Sequence, residues 1–169
     1  MLEFTKKIFP LNRSLTGKDV VKTQSIIKKK IPNLIINNDK SSTKIFDWTV
    51  PDEWNVKDAY IINPNGKKFA EFKINNIHLM GYSIPLNKTL ALDELKKKIY
   101  FLKELPNAIP YVTSYYKKDW GFCITYHDYQ KLKKGNYKVF INSSLKKGRL
   151  SYGQILIKGK SKKEILLST

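Results

Sequence analysis

IPYVTSYYKKDWGFC, residues Ile109 to Cys123, packs Tyr111, Tyr115, Tyr116, Trp120 and Phe122 into fifteen positions. It also holds Pro110, Gly121 and the charged run Lys117-Lys118-Asp119. The spacing fits neither a 3.6-residue nor a two-residue period, so one buried face does not account for it. It reads as two short strands around an aromatic-lined turn. Two roles fit: the core of a β-rich domain, or rings presented to a ligand. The charged run belongs at the surface, which makes the flanking Tyr115, Tyr116 and Trp120 the candidates for the second role. Most of the other rings, Trp48 and Trp54 among them, read as core.

Outward from this stretch the chain predicts further β structure. Lys57 to Ile62 and Lys68 to Phe72 flank Asn63-Pro64-Asn65-Gly66, where proline presets the turn and glycine supplies positive φ. Thr43 to Trp48, Ile77 to Ser83, Tyr137 to Asn142 and Arg149 to Ile157 also read as strands, and Pro85 limits pairing beyond the second of these. On the N-terminal side, Val20, Val21, Gln24, Ile27 and Ile31 form one face of a helix that Pro32 ends. Thr16 and Asp19 fit a capping box at its start. Leu34 to Ile36 reads as a buried strand, and Asn37 to Ser42 as a polar loop crossing between two structural units. Leu92, Leu95, Ile99 and Leu102 predict a second helix. Thr125 and Asp128 cap a short third one that stops by Gly135. Ile165-Leu166-Leu167 reads as a buried central strand, and the chain reads as ending early, just after it.

Composition bounds the function. The 169 residues carry a formal charge of +18, from 32 Lys and Arg against 14 Asp and Glu. Only Arg13 and Arg149 are arginines. Base-reading proteins rely on the bidentate fork of arginine, so no specific nucleic-acid partner is expected. Lysine runs such as Lys96 to Lys98 and Lys162-Lys163 read as solvated faces, and salt-sensitive attraction to polyanions remains open. A single cysteine excludes an internal disulfide. No secretory signal or membrane-length apolar run is present, so the expected location is the cytoplasm, with no membrane partner.

Chemistry-bearing patterns are sparse. His78 and His127 are the two histidines and have no carboxylate at ligand spacing, whereas zinc needs three or four ligands. Cys123 sits in an apolar setting and reads as a buried, inert thiol. No G-x-S-x-G, Walker loop or G-x-G-x-x-G occurs. The adjacent pairs Asp52-Glu53 and Asp93-Glu94 point to different sides of a strand or helix and do not resemble a paired acid and base. No catalytic residue and no metal ligand is assigned.

Four segments stand in order: FPLNRSLTGKDV (Phe9 to Val20), TKIFDWTVPDEW (Thr43 to Trp54), the aromatic stretch, and LSYGQILIKG leading to EILLST. Together they resemble a bacterial family of aminopeptidase-like proteins, first defined as a domain of unknown function. It often carries the label polysaccharide biosynthesis protein with an aminopeptidase-like domain. The resemblance implies an α+β chain: the N-terminal portion of an α/β zinc-exopeptidase-like domain, interrupted by an inserted β-rich domain. In that scheme residues 1–42 belong to the aminopeptidase-like domain, 43–158 to the insert, and 159–169 to the return into the first domain. A winged helix would lie at the C-terminus of the complete protein.

In the family the strand matching EILLST leads into a His-Pro motif that begins the zinc-ligand set. That motif has no counterpart here, so no catalytic or metal residue is carried over. The expectation is a non-catalytic front portion of a zinc metallopeptidase, inactive as it stands. Zinc and a peptide-like substrate belong to the complete protein, whose C-terminal catalytic half would be the partner. Tyr115, Tyr116 and Trp120 become candidate substrate-wall residues and Arg13 a candidate anion contact. A stand-alone basic module for polyanions or polysaccharide, and an inactive gene fragment, are the competing expectations.

Overall fold

The tetrapeptide Asn63-Pro64-Asn65-Gly66 turns the chain as expected. Gly66 takes φ 79°, and the Asn63 side chain accepts hydrogen bonds from the amides of Asn65 and Lys67 at 3.0 and 2.9 Å. The structure, a computed structural model, describes residues 2–161 and 163–168; Lys162 and Thr169, at which two of the sequence expectations fall, lie outside them. In chain order the elements begin with helices α1 (Leu2–Ile8) and α2 (Lys18–Lys30) and strands β1 (Ile35–Lys40), β2 (Lys44–Ile45) and β3 (Trp48–Thr49). Strands β4 (Glu53–Ile62), β5 (Lys68–Phe69) and β6 (Leu86–Ala91) follow, then helix α3 (Leu92–Lys96) and strands β7 (Ile99–Tyr100) and β8 (Phe122–Cys123). Helix α4 (Tyr126–Gln130) precedes the last strands, β9 (Asn136–Lys146) and β10 (Arg149–Gln154).

The core lies on one face of an antiparallel four-stranded sheet ordered β5-β4-β9-β6. Alternation places Tyr137, Val139 and Ile141 of β9 inward. On β4 the buried residues are Trp54, Ala59 and Ile61, whose positions have opposite parity. A bulge between Val56 and Asp58 reconciles them, because one extra residue switches which face the following side chains take. Leu79, Tyr82, Leu95, Phe122 and Ile124 close the core from the connecting segments. On the opposite face Tyr60 and Phe140, directly paired in register, stack at 5.0 Å, and Lys68 Nζ sits 4.0 Å from the Tyr60 ring.

A second unit joins helix α2 and strand β1 to the last strand, β10. Strands β1 and β10 pair antiparallel from Ile35↔Gln154 to Lys40↔Arg149. Helix α2 packs on this ribbon through Gln24, whose Nε2 donates to the Ser151 carbonyl at 2.6 Å.

Several local expectations are corrected by long-range partners. Asn37 to Lys40 are strand, because β10 supplies a ladder; only the residues after them turn. The capping box at α2 does not form. The Thr16 hydroxyl is instead taken by Asp52 and Trp54, Asp19 accepts the Asn12 amide, and Asn55 of β4 accepts from Lys18 N at 2.9 Å. Ile77 to Ser83 is not a strand: Asn75 caps a 3-10 turn at Asn76–His78, and Tyr82 has φ 65°. Pro85 does not stop pairing, since β6 begins at the next residue. The second helix ends at Lys96, and Ile99 and Tyr100 pair parallel with Phe122 and Cys123 instead.

The aromatic stretch is irregular apart from β8 and an isolated bridge between Thr113 and Gly81. Ile165 to Leu167 is neither buried nor strand; each side chain is about 90% exposed. By contrast α4 starts as predicted, with Thr125 accepting the Asp128 amide at 3.0 Å and donating to its carboxylate at 2.8 Å.

Candidate functional site

Two of the three rings singled out in the sequence, Tyr115 and Tyr116, form the outer end of an aromatic series that starts in the core. Trp54 stacks on Tyr82 at 5.5 Å, Tyr82 meets Tyr115 edge-on at 5.8 Å, and Tyr115 meets Tyr116 at 4.3 Å. The inner end is fixed by hydrogen bonds. Trp54 Nε1 donates to the Ser83 carbonyl at 3.0 Å. The single hydroxyl proton of Thr16 goes to the Asp52 carbonyl, so the Tyr82 phenol, 2.6 Å away, donates to Thr16. Burial pushes the Tyr82 phenol above its ordinary pKa. Along the series Tyr115 is half-buried and Tyr116 is 79% exposed. Tyr115 beside it raises the Tyr116 phenol.

Trp120 is half-buried and stands apart from this series. Lys98 Nζ lies 5.9 Å from its ring centre and is ion-paired to Asp119. Asp119 also accepts the Trp120 amide at 2.8 Å, so one carboxylate sets the turn that presents the ring. The hydrogen bond from Lys98 holds Asp119 below the usual carboxylate range. A depressed folded-state pKa gives stability that is present above the unfolded value and lost as pH falls through the folded one. Replacing Lys98 with methionine should therefore lower the melting temperature at pH 7, and the deficit should shrink as pH falls through the depressed range in which the folded parent protonates Asp119. Melting curves across this pH range check the expectation.

Arg13 lies elsewhere, in a cleft of about 410 Å³ between residues 9–14 and the segment 72–77. Tyr115, Tyr116 and Trp120 do not line it, but Tyr111 does, as do Lys73 and Asn12. The sequence reading missed these three. They come from segments far apart in the chain, and the one signal for them was the placement of a scarce arginine beside Phe9-Pro10.

A mixed helix–strand chain built on an antiparallel sheet, with an aromatic series and a basic cleft, is the class of protein described so far. The chain belongs to the family described as Domain of unknown function (DUF2172), which matches residues 53–144. It is 50% identical over 164 residues to a Clostridium acetobutylicum protein named "Putative polysaccharide biosynthesis protein with aminopeptidase-like domain". The match covers 97% of this chain and 38% of that protein. A crystal structure of a "putative peptidase" from Clostridium acetobutylicum superposes with TM-score 0.84 at 50% identity, covering 89% of this chain and 36% of the other. The chain thus spans well under half the length of the relatives it matches.

The zinc implied by the family resemblance does not fit the described residues. No three His, Cys, Asp or Glu side chains among them come together as a metal site. His78 Nδ1 is engaged with the Cys123 carbonyl at 2.8 Å, and His127 is exposed on α4. Burial pushes the Cys123 thiol up to about 12, so at neutral pH it is neither nucleophile nor ready ligand. No hydrolytic step is assigned to these residues. Among the described residues no helix is long and apolar enough to cross a membrane.

Proposed function

We propose that this chain is the N-terminal, non-catalytic portion of an aminopeptidase-like zinc metallopeptidase, and that the complete protein hydrolyses peptide or amide bonds. The observation that carries the reading is the 50% identity along 97% of the chain to a protein with an aminopeptidase-like domain, of which the match covers 38%. In this reading residues 43–158 are an inserted β-rich domain, and the β1–β10 ribbon spans its junction with the exopeptidase-like domain. Residues 1–42 and 159–169 then belong to the exopeptidase-like domain. Zinc, the activated water and the peptide-like substrate belong to the C-terminal catalytic half, which is the partner of this portion.

Exposed apolar side chains support this. Ile155 to Ile157 follow the ribbon, Leu156 and Ile157 being 71% and 85% exposed, and Ile165 to Leu167 are still more open. Tyr115, Tyr116 and Trp120 are proposed as wall residues that shape access to the site, and Arg13 as an anion contact. A cytoplasmic location is part of the same proposal.

The test is reconstitution. This chain and the unmatched C-terminal part of the Clostridium protein are co-expressed, and hydrolysis of leucine p-nitroanilide is followed with zinc present. Activity is expected from the pair, and Tyr116→Ala in the pair should raise KM severalfold with an unchanged melting temperature. Equal hydrolysis by this chain alone would refute the non-catalytic reading.

A further inference from the structure

The cleft that holds Arg13 has a composition that selects a ligand. Its lining contains no Asp or Glu. Of its two cations, Lys73 is held by Asp58 at 3.1 Å, whereas the exposed Arg13 guanidinium has no hydrogen bond or ion pair among the described residues. The walls mix polar and apolar groups, and three of the chain's most exposed large apolar side chains line them: Phe9, Ile74 and Tyr111, at 72%, 77% and 68% exposure. Behind them lie Phe72, Ile77 and Leu79. The volume is that of a small-ligand site.

Two of the asparagines are already committed. Asn76 Nδ2 donates to the Pro10 carbonyl at 3.3 Å, and the Asn75 side chain accepts the Ile77 amide at 3.3 Å. These bonds shape the wall, and the remaining polar groups of Asn12, Ser14 and Tyr111 lie around its rim beside the cation. One unpaired, bidentate cation beside exposed apolar side chains suits a single carboxylate attached to an apolar group.

We propose that this cleft binds the C-terminal end of a short peptide, with Arg13 on the carboxylate and the apolar wall residues on the last side chain. The lining residues named here all belong to this chain, and the proposal does not rest on the peptidase reading, because binding here needs no metal and no catalytic step.

The test is an amide chemical-shift titration of the 169-residue chain with N-acetyl-alanyl-leucine as the free acid, the same dipeptide as its C-terminal amide, and glucuronate. The acid should shift Arg13, Asn75 and Tyr111 saturably and bind about tenfold or more tighter than the amide, as expected for a hydrogen-bonded charge. Arg13→Gln should bring the acid down to the affinity of the amide, and Arg13→Lys should restore part of the difference. Arg13 is exposed, so both variants should melt with the parent chain. The proposal is overturned if acid and amide bind alike, if Arg13→Gln leaves the acid's affinity unchanged, if no saturable shift occurs, or if glucuronate binds as tightly as the acid.

Discussion

Trp54→Ala should destabilise the chain by about 3–5 kcal/mol, the range for truncating a large buried aromatic. Trp54 is 2% exposed and joins three parts of the structure. Its ring stacks on Tyr82, its indole N–H bonds the Ser83 carbonyl, and its backbone amide donates to Thr16 at 3.1 Å. Removing the ring leaves a cavity under the sheet and takes one of two donors from the Ser83 carbonyl. Ser83 O also accepts from Ser143 Oγ at 2.7 Å, so that carbonyl keeps one partner and the packing loss dominates. Urea denaturation measures the effect. A loss below about 1 kcal/mol would mean that the core is not organised around this residue.

Gly17→Ala should be nearly as damaging for a different reason. Gly17 has φ 120° and ψ 167°, a region open essentially to glycine alone. An added Cβ would also lie 2.4 Å from the Trp54 carbonyl oxygen, which belongs to a central strand. The backbone strain alone is worth roughly 1–3 kcal/mol, and the overlap adds to it. Relief requires the start of α2 to move away from β4, which breaks the Lys18-to-Asn55 bond. The expected result is a lowered melting temperature together with lost amide-exchange protection in residues 18–30, while the sheet keeps its protection. Unchanged protection in α2 would contradict the contact.

These two residues also show how far the sequence could be read. Trp54 was placed in the core correctly, since a large ring between strand-like segments has few other uses. The role of Gly17 was not legible. Thr16 and Asp19 have the spacing of a local capping box, but each is claimed by a residue elsewhere, Thr16 by Asp52, Trp54 and Tyr82 and Asp19 by Asn12. Where no distant partner competes, as at Thr125 and Asp128, the same pattern caps as expected.

Short apolar runs failed for a related reason. The Ile99 position fits a helical face equally well as a two-residue strand, and only the arrival of Phe122 from the aromatic stretch decides between them. The aromatic stretch itself was half legible. Its exposed turn and flanking rings are there, but their continuity with Trp54 through Tyr82 depends on a positive-φ residue that no pattern announces. Arg13 was picked out for its rarity, whereas Tyr111 and Lys73 became its neighbours through folding.

The central claim, that the metal chemistry lies outside this portion, is tested most directly by counting zinc. Elemental mass spectrometry of the purified 169-residue chain, dialysed after incubation with zinc, should find far less than one ion per chain. The same measurement on the reconstituted pair should find at least one. One tightly held zinc per chain in the 169-residue protein alone would contradict the account.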